Sequence, residues 1–122
     1  TSTLFFCYSK EDMIKSKQAL IDISADNNNS LGVATEGMLL CGIQFPAAMT
    51  GSNITFDFSF DNSAFVDVKE ADGSDTSVTV SAGDIVRLDP SGFAFASNGF
   101  LRVTSDGNEA ADRKIILHFR HS

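Results

Sequence analysis

Ile54-Thr55-Phe56-Asp57-Phe58-Ser59-Phe60-Asp61 alternates apolar and polar residues without a break. A period of two is the period of a β-strand, so Ile54, Phe56, Phe58 and Phe60 are expected on one face and Thr55, Asp57, Ser59 and Asp61 on the other. Three phenylalanines and an isoleucine on one face form a large apolar surface that a single strand cannot cover. A second layer is needed, and the stretch therefore predicts a packed β-sheet protein.

The rest of the chain repeats the pattern in shorter pieces. Gln18–Ala25 alternates through Ile21 and Ile23, and Asp26-Asn27-Asn28-Asn29-Ser30 is a turn or loop. Leu39–Phe45 is almost continuously apolar, which reads as a central strand buried on both faces, and Pro46 ends it. Asp61-Asn62-Ser63 turns the chain into Phe65–Glu70, and Asp72-Gly73 reverses it again. Ser77–Ala82 and Ile85–Leu88 follow on either side of Gly83-Asp84. Asp89-Pro90 reads as the N-cap and first position of one helical turn over Phe93–Ala96. Phe100–Thr104 and Lys114–Arg120 are the last two strands, joined by a polar, acidic loop. Eight or nine short strands with turn residues between them predict an all-β fold, an antiparallel, jelly-roll-like sandwich. It is expected over residues 18–122, after an N-terminal strand or arm over residues 1–17.

At 122 residues one domain can bury enough surface to fold without a metal or a disulfide. The nine basic residues are scattered among sixteen acidic ones, for a net charge of −7. That balance argues against nucleic acid, which requires clustered Lys and Arg, and against an anionic membrane surface. No apolar run approaches the ~20 residues of a membrane span. Leu4-Phe5-Phe6-Cys7-Tyr8 is short for a signal sequence and has no basic residues before it. The chain is thus expected to be made and folded in a cytosol. Cys7 and Cys41, far apart and matching no zinc spacing, read as two free thiols.

No cofactor site or catalytic apparatus emerges. His118 and His121 have no partners at metal-ligand or catalytic spacing, and read as surface residues. Asp72-Gly73-Ser74-Asp75 and Asp106-Gly107-Asn108-Glu109 start like calcium loops but lack the full twelve-residue ligand pattern, so both read as turns. Neither Gly51-Ser52 nor Ser91-Gly92 forms a nucleophile elbow. A binding protein is expected rather than an enzyme. The candidate partner interface is aromatic: Leu4, Phe5, Phe6 and Tyr8 on a terminal strand, and Phe93 and Phe95 in a Gly-flanked segment. For Phe93 and Phe95 the competing reading is that they close one end of the sandwich.

Six segments follow one another in a recognisable order: Ile43-Gln44-Phe45-Pro46-Ala47-Ala48-Met49-Thr50, Asn53-Ile54-Thr55-Phe56, Val78-Thr79-Val80-Ser81-Ala82-Gly83, Arg87-Leu88-Asp89-Pro90, Phe100-Leu101-Arg102-Val103 and Ala110-Ala111-Asp112-Arg113. Together they resemble a family of small tailed-bacteriophage proteins with the patterns IQ-P-A-A-W-T, A-L-D-P and Q-A-A-D-R. The resemblance covers Leu39 to Arg120, and departs at Met49, where the family often has Trp, and at Glu109. It implies a virion component assembled in the host cytoplasm: a capsid decoration or cement protein that binds the major capsid protein, as a trimer or dimer. It brings no catalytic residues. A carbohydrate- or receptor-binding sandwich on a head or tail fibre is the alternative. Its sugar platforms would have to be built with one Tyr and no Trp.

Overall fold

The structure is a computed structural model and describes residues 16–121. Its nine strands are β1 (Ser16–Ile23), β2 (Val33–Ala34), β3 (Met38–Gln44), β4 (Asn53–Ser59), β5 (Val66–Asp67), β6 (Ser77–Thr79), β7 (Ile85–Arg87), β8 (Phe100–Ser105) and β9 (Arg113–His121). A 3₁₀ helix, Pro90–Ala96, lies between β7 and β8. One sheet has the order β1-β9-β3-β7. The other has the order β2-β8-β4-β5, with β6 also on β4. Every pairing is antiparallel.

The pairings are nested: β1 with β9, β2 with β8, β3 with β7, and β4 with both β5 and β6. The chain is one long hairpin, folded back at β4–β5. The additional β3–β9 and β4–β8 pairs roll that hairpin into two layers. This is a jelly roll, the expected architecture, with β5 and β6 sharing one strand position.

Period two builds the core. Ile21 and Ile23 of β1, Ile54, Phe56 and Phe58 of β4, Leu101 and Val103 of β8, and Ile115, Leu117 and Phe119 of β9 all face inward and are buried. β3 departs from the expectation of burial on both faces, because Leu39 and Cys41 are only half-buried. Its register against β9 shifts between Leu40 and Gly42. The bulge lets Leu40 and Ile43, three residues apart, both point inward, and this explains why the run looks continuously apolar.

One further expectation is corrected at β4, at Phe60. The polar face of the strand is itself covered: Asp57 and Ser59 are buried. Asp57 Oδ2 accepts hydrogen bonds from Arg102 Nε at 2.8 Å and Thr104 Oγ1 at 2.9 Å. The Arg102 guanidinium lies 4.5 Å from the centre of the Phe65 ring, which covers that face. Phe60 does not join the core. β4 stops at Ser59, and the Asp61 carboxylate accepts hydrogen bonds from Ser59 Oγ and from the Ser63 and Ala64 amides. Asn62 sits at φ +61° in this turn, and Phe60 is left 85% exposed.

The expected turns form elsewhere, with Gly73 and Gly83 both at positive φ. Asp89 caps the 3₁₀ helix by accepting from the Ser91 amide, with Pro90 at its start. β1 includes Ser16, the first described residue.

Candidate functional site: an aromatic groove at one end of the sandwich

The two ends of the roll are built from different chemistry. One end collects the loops Ser24–Asn28, Thr50–Ser52 and Asp106–Asp112. At their centre is the Glu109 carboxylate, on a residue 1% exposed. Its Oε1 accepts from the Thr50 amide at 2.8 Å and Arg113 Nε at 2.9 Å. Its Oε2 accepts from the Gly51 amide at 2.9 Å and Ser105 Oγ at 2.8 Å. Burial by itself would raise the pKa of Glu109, but the Thr50 and Gly51 amides, Ser105 and Arg113 outweigh it and hold the group at about 2. Thr50 Oγ1 also accepts from the Ala110 amide and Arg113 Nη2. Gly51 has no room for a side chain: a Cβ there would lie 2.0 Å from Ser105 Oγ.

This clasp accounts for the Asp106–Glu109 sequence that starts like a calcium loop. All four contacts to the Glu109 oxygens come from protein donors, and Asp106 is engaged by the Ser52 amide at 2.9 Å. Asp72 likewise spends its carboxylate on a local turn, accepting from the amide and hydroxyl of Ser74. His118 is half-buried, with Nε2 3.2 Å from Gln44 Oε1, and His121 is exposed. Cys41 is a free thiol whose Sγ donates to the His118 carbonyl at 3.3 Å. Cys7 lies outside the described residues.

The opposite end is apolar. Five phenylalanine rings form a chain from the core into solvent. Phe56 meets Phe93 edge-on at 5.1 Å between centroids, Phe93 meets Phe95 at 6.5 Å, Phe95 meets Phe58 at 5.6 Å, and Phe58 meets Phe60 at 5.2 Å. Phe93 is 5% exposed and plugs the sandwich, whereas Phe95 is 55% exposed. Of these two candidates, only Phe95 offers a substantial surface to a partner. Leu4, Phe5, Phe6 and Tyr8, the other candidates, lie outside the described residues. Phe60 and Val66, which the sequence did not single out as surface residues, are also exposed, Val66 by 64%. The Asp61-Asn62-Ser63 turn directly after Phe60 was the available signal, since a strand that ends there cannot hold Phe60 in the core.

Phe58, Phe60, Val66, Val68 and Phe95 wall a groove of about 430 Å³, with Asp67 and Lys69 at its rim. A second groove of about 380 Å³ continues from it between the Val68–Thr76 segment and the 3₁₀ helix, sharing Val68, Lys69 and Phe95. Lys69 is ion-paired to Asp75. Asp67 lies opposite Asp57 in the β4–β5 register, and their hydrogen bond and mutual repulsion raise the Asp67 pKa. Walls of this kind can bury apolar or aromatic side chains.

No protein-family model matches the chain, and no curated protein sequence matches it. Among solved structures it is similar to peruvianin-I, a cysteine peptidase from Thevetia peruviana latex, at 7% identity over 88% of this chain and 52% of that one, with a TM-score of 0.43. The chain therefore spans about half the length of that protein. It is also similar to the SPBc2 prophage-derived protein YomS, at 8% identity over 85% and 93% of the two chains, with a TM-score of 0.47. A third similarity is to a protein of Bacillus endospore appendages, disulfide-linked pili, at 10% identity over 88% of each chain, with a TM-score of 0.40.

Proposed function

We propose that the protein is a structural component of a tailed-phage virion, a capsid decoration or cement protein that binds the major capsid protein through its aromatic end. It acts by binding rather than by catalysis. The observation that carries the binding role is the exposure of Phe60, Val66 and Phe95 together beside one groove. An acidic chain with a contiguous apolar patch has a surface suited to a partner.

The virion assignment rests on the motif resemblance. Its support is spatial: Thr50, from the first motif, and Ala110 and Arg113, from the last, meet in one hydrogen-bonded clasp. Gly83, from the third motif, donates to the carbonyl of Pro46 in the first at 2.8 Å. Segments scattered along the chain thus act as one structural unit, which gives their order and spacing a physical reason.

The test is the composition of purified particles. A decoration protein is present in hundreds of copies and binds empty shells of the major capsid protein in vitro. Absence from particles sinks the assignment. A handful of copies together with glycan binding transfers it to a head or tail fibre.

A further inference from the structure

We propose that the partner enters the aromatic end as an extended segment that adds a strand to the open edge of β5, with a lysine or arginine opposite Asp67 and an apolar residue on either side of it. This names the chemistry of the partner, and it rests on the reading of the aromatic end as the binding surface.

The first argument is the edge. β5 stands at the end of its sheet, and among the described residues no strand pairs with its outer side. The Val68 amide donates to the Phe56 carbonyl, so 56 and 68 are a hydrogen-bonded pair of the antiparallel ladder. Asp67, opposite Asp57, is then in a non-bonded pair and turns its own N–H and C=O outward. The edge continues past β5. The Glu70 amide donates to the Ser74 carbonyl and the Thr76 amide to the Val68 carbonyl, on either side of the Lys69–Asp75 bridge. Lys69 therefore also turns its N–H and C=O outward. Asp67 and Lys69 together present an incoming strand with backbone donors and acceptors two residues apart, which is the spacing of a ladder.

The second argument is the two faces of that edge. Val66 and Val68 line the groove with Phe58, Phe60 and Phe95. Asp67, between the two valines, shares its face with Asp57. In a strand hydrogen-bonded to Asp67, the residue directly opposite lies on the Asp67 face, and its two neighbours lie on the face of Val66 and Val68. Those neighbours enter the groove and bury apolar surface against Phe60, Val66 and Phe95, which the folded chain leaves exposed.

The third argument is charge. Asp67 is exposed and forms no ion pair among the described residues. Arg102 is engaged by Asp57 and the Lys69 ammonium by Asp75, so neither is free to neutralise it. Its hydrogen bond with Asp57 and the repulsion between the two carboxylates hold the Asp67 pKa up. A cation directly across the strand pair relieves that repulsion, and a carboxylate in its place adds to it.

The experiment is a nuclear magnetic resonance titration of the full chain with capped heptapeptides Thr-Thr-Phe-X-Val-Thr-Thr, where X is Arg or Glu. The Arg peptide is expected to shift the Asp67 and Lys69 amides and the Phe60 and Phe95 ring signals, and to bind at least tenfold more tightly than the Glu peptide. In Asp67→Lys, a change at an exposed position, the order of the two peptides is expected to reverse. Equal binding of the two peptides, binding of neither, or an order that survives Asp67→Lys overturns the proposal. Its failure is distinct from failure of the virion role. Capsid shells bound by a protein that ignores the charge at X refute the added strand alone. A preference for the Arg peptide in a protein absent from purified particles supports the strand and refutes the virion role alone.

Discussion

The clasp end and the aromatic end of the roll solve opposite problems. At the clasp, a carboxylate is removed from water and every lone-pair direction it needs is met by a backbone amide, a hydroxyl or a guanidinium. At the other end, three apolar side chains stay in water beside a groove. The first arrangement is costly to disturb and has nothing left to offer a partner. The second contributes little to holding the fold and has much surface still to bury. A satisfied buried charge and an open apolar surface are thus separated along the strand axis.

The largest expected effect breaks the clasp. Glu109→Ala leaves the Thr50 and Gly51 amides, Ser105 and the buried side of Arg113 without their acceptor. Removing one partner of a buried ion pair costs about 3–5 kcal/mol. Urea denaturation measures it. A loss below about 1 kcal/mol means that the loops hold themselves and that the contrast between the ends is wrong.

Next in size is a substitution pair within the aromatic end. Phe93→Ala empties a core position and is expected to cost about 3–4 kcal/mol. Phe95→Ala, two residues away and exposed, is expected to cost less than about 1 kcal/mol. Similar losses from the two substitutions would show that Phe95 is structural.

These two residues also show how far the sequence could be read. The sequence offered Phe93 and Phe95 together, as two rings of one Gly-flanked segment. The chain kinks at Phe93, whose φ of −113° and ψ of 16° are not helical, and the two side chains diverge: one is core while the other is surface. The sandwich itself was legible because alternation and turn residues are local signals. The β3 bulge was not, since it is set by register against β9. Glu109 was hidden for a similar reason. In a loop of polar residues it reads as solvated, and the amides that bury it come from Thr50 and Gly51, far back in the chain. The interface reading named Phe95, which is exposed, and placed Phe60 in the core, because strict alternation was followed one residue past the end of the strand.

The ends are also expected to respond to acid with opposite signs. Glu109 has a folded pKa of about 2 against an ordinary 4.5, so its contribution is fully present above pH 4.5 and is lost as the pH falls towards 2. A depression of that size corresponds to roughly 3 kcal/mol. Asp67 is raised above its ordinary 3.8 by Asp57, so the folded state binds its proton more tightly than the unfolded one. Its effect is to destabilise at neutral pH and to be relieved as the pH falls through its raised pKa to 3.8. Urea midpoints measured between pH 2 and 7 separate the two. Glu109→Gln is expected to flatten the acid limb, and Asp67→Asn to remove the relief and raise the midpoint at pH 7. A Glu109→Gln profile parallel to that of the parent protein would mean that other carboxylates carry the acid limb.

The smallest expected effect on stability carries the sharpest functional content. Phe60 projects from a turn, 85% exposed, and its ring touches Phe58 from outside the core. Phe60→Ser removes apolar surface that folding does not bury, so the unfolding free energy from urea denaturation is expected to change by less than about 0.5 kcal/mol. The same ring edges the groove, and desolvating it against a partner is where its binding energy would come from. If the aromatic end is the capsid-facing surface, Phe60→Ser weakens binding to capsid shells at least tenfold while the fold stays as it was. If binding is unchanged and the unfolding free energy falls by about 2 kcal/mol or more, Phe60 is a structural residue and the division of labour between the two ends fails at the residue where it is most exposed to test.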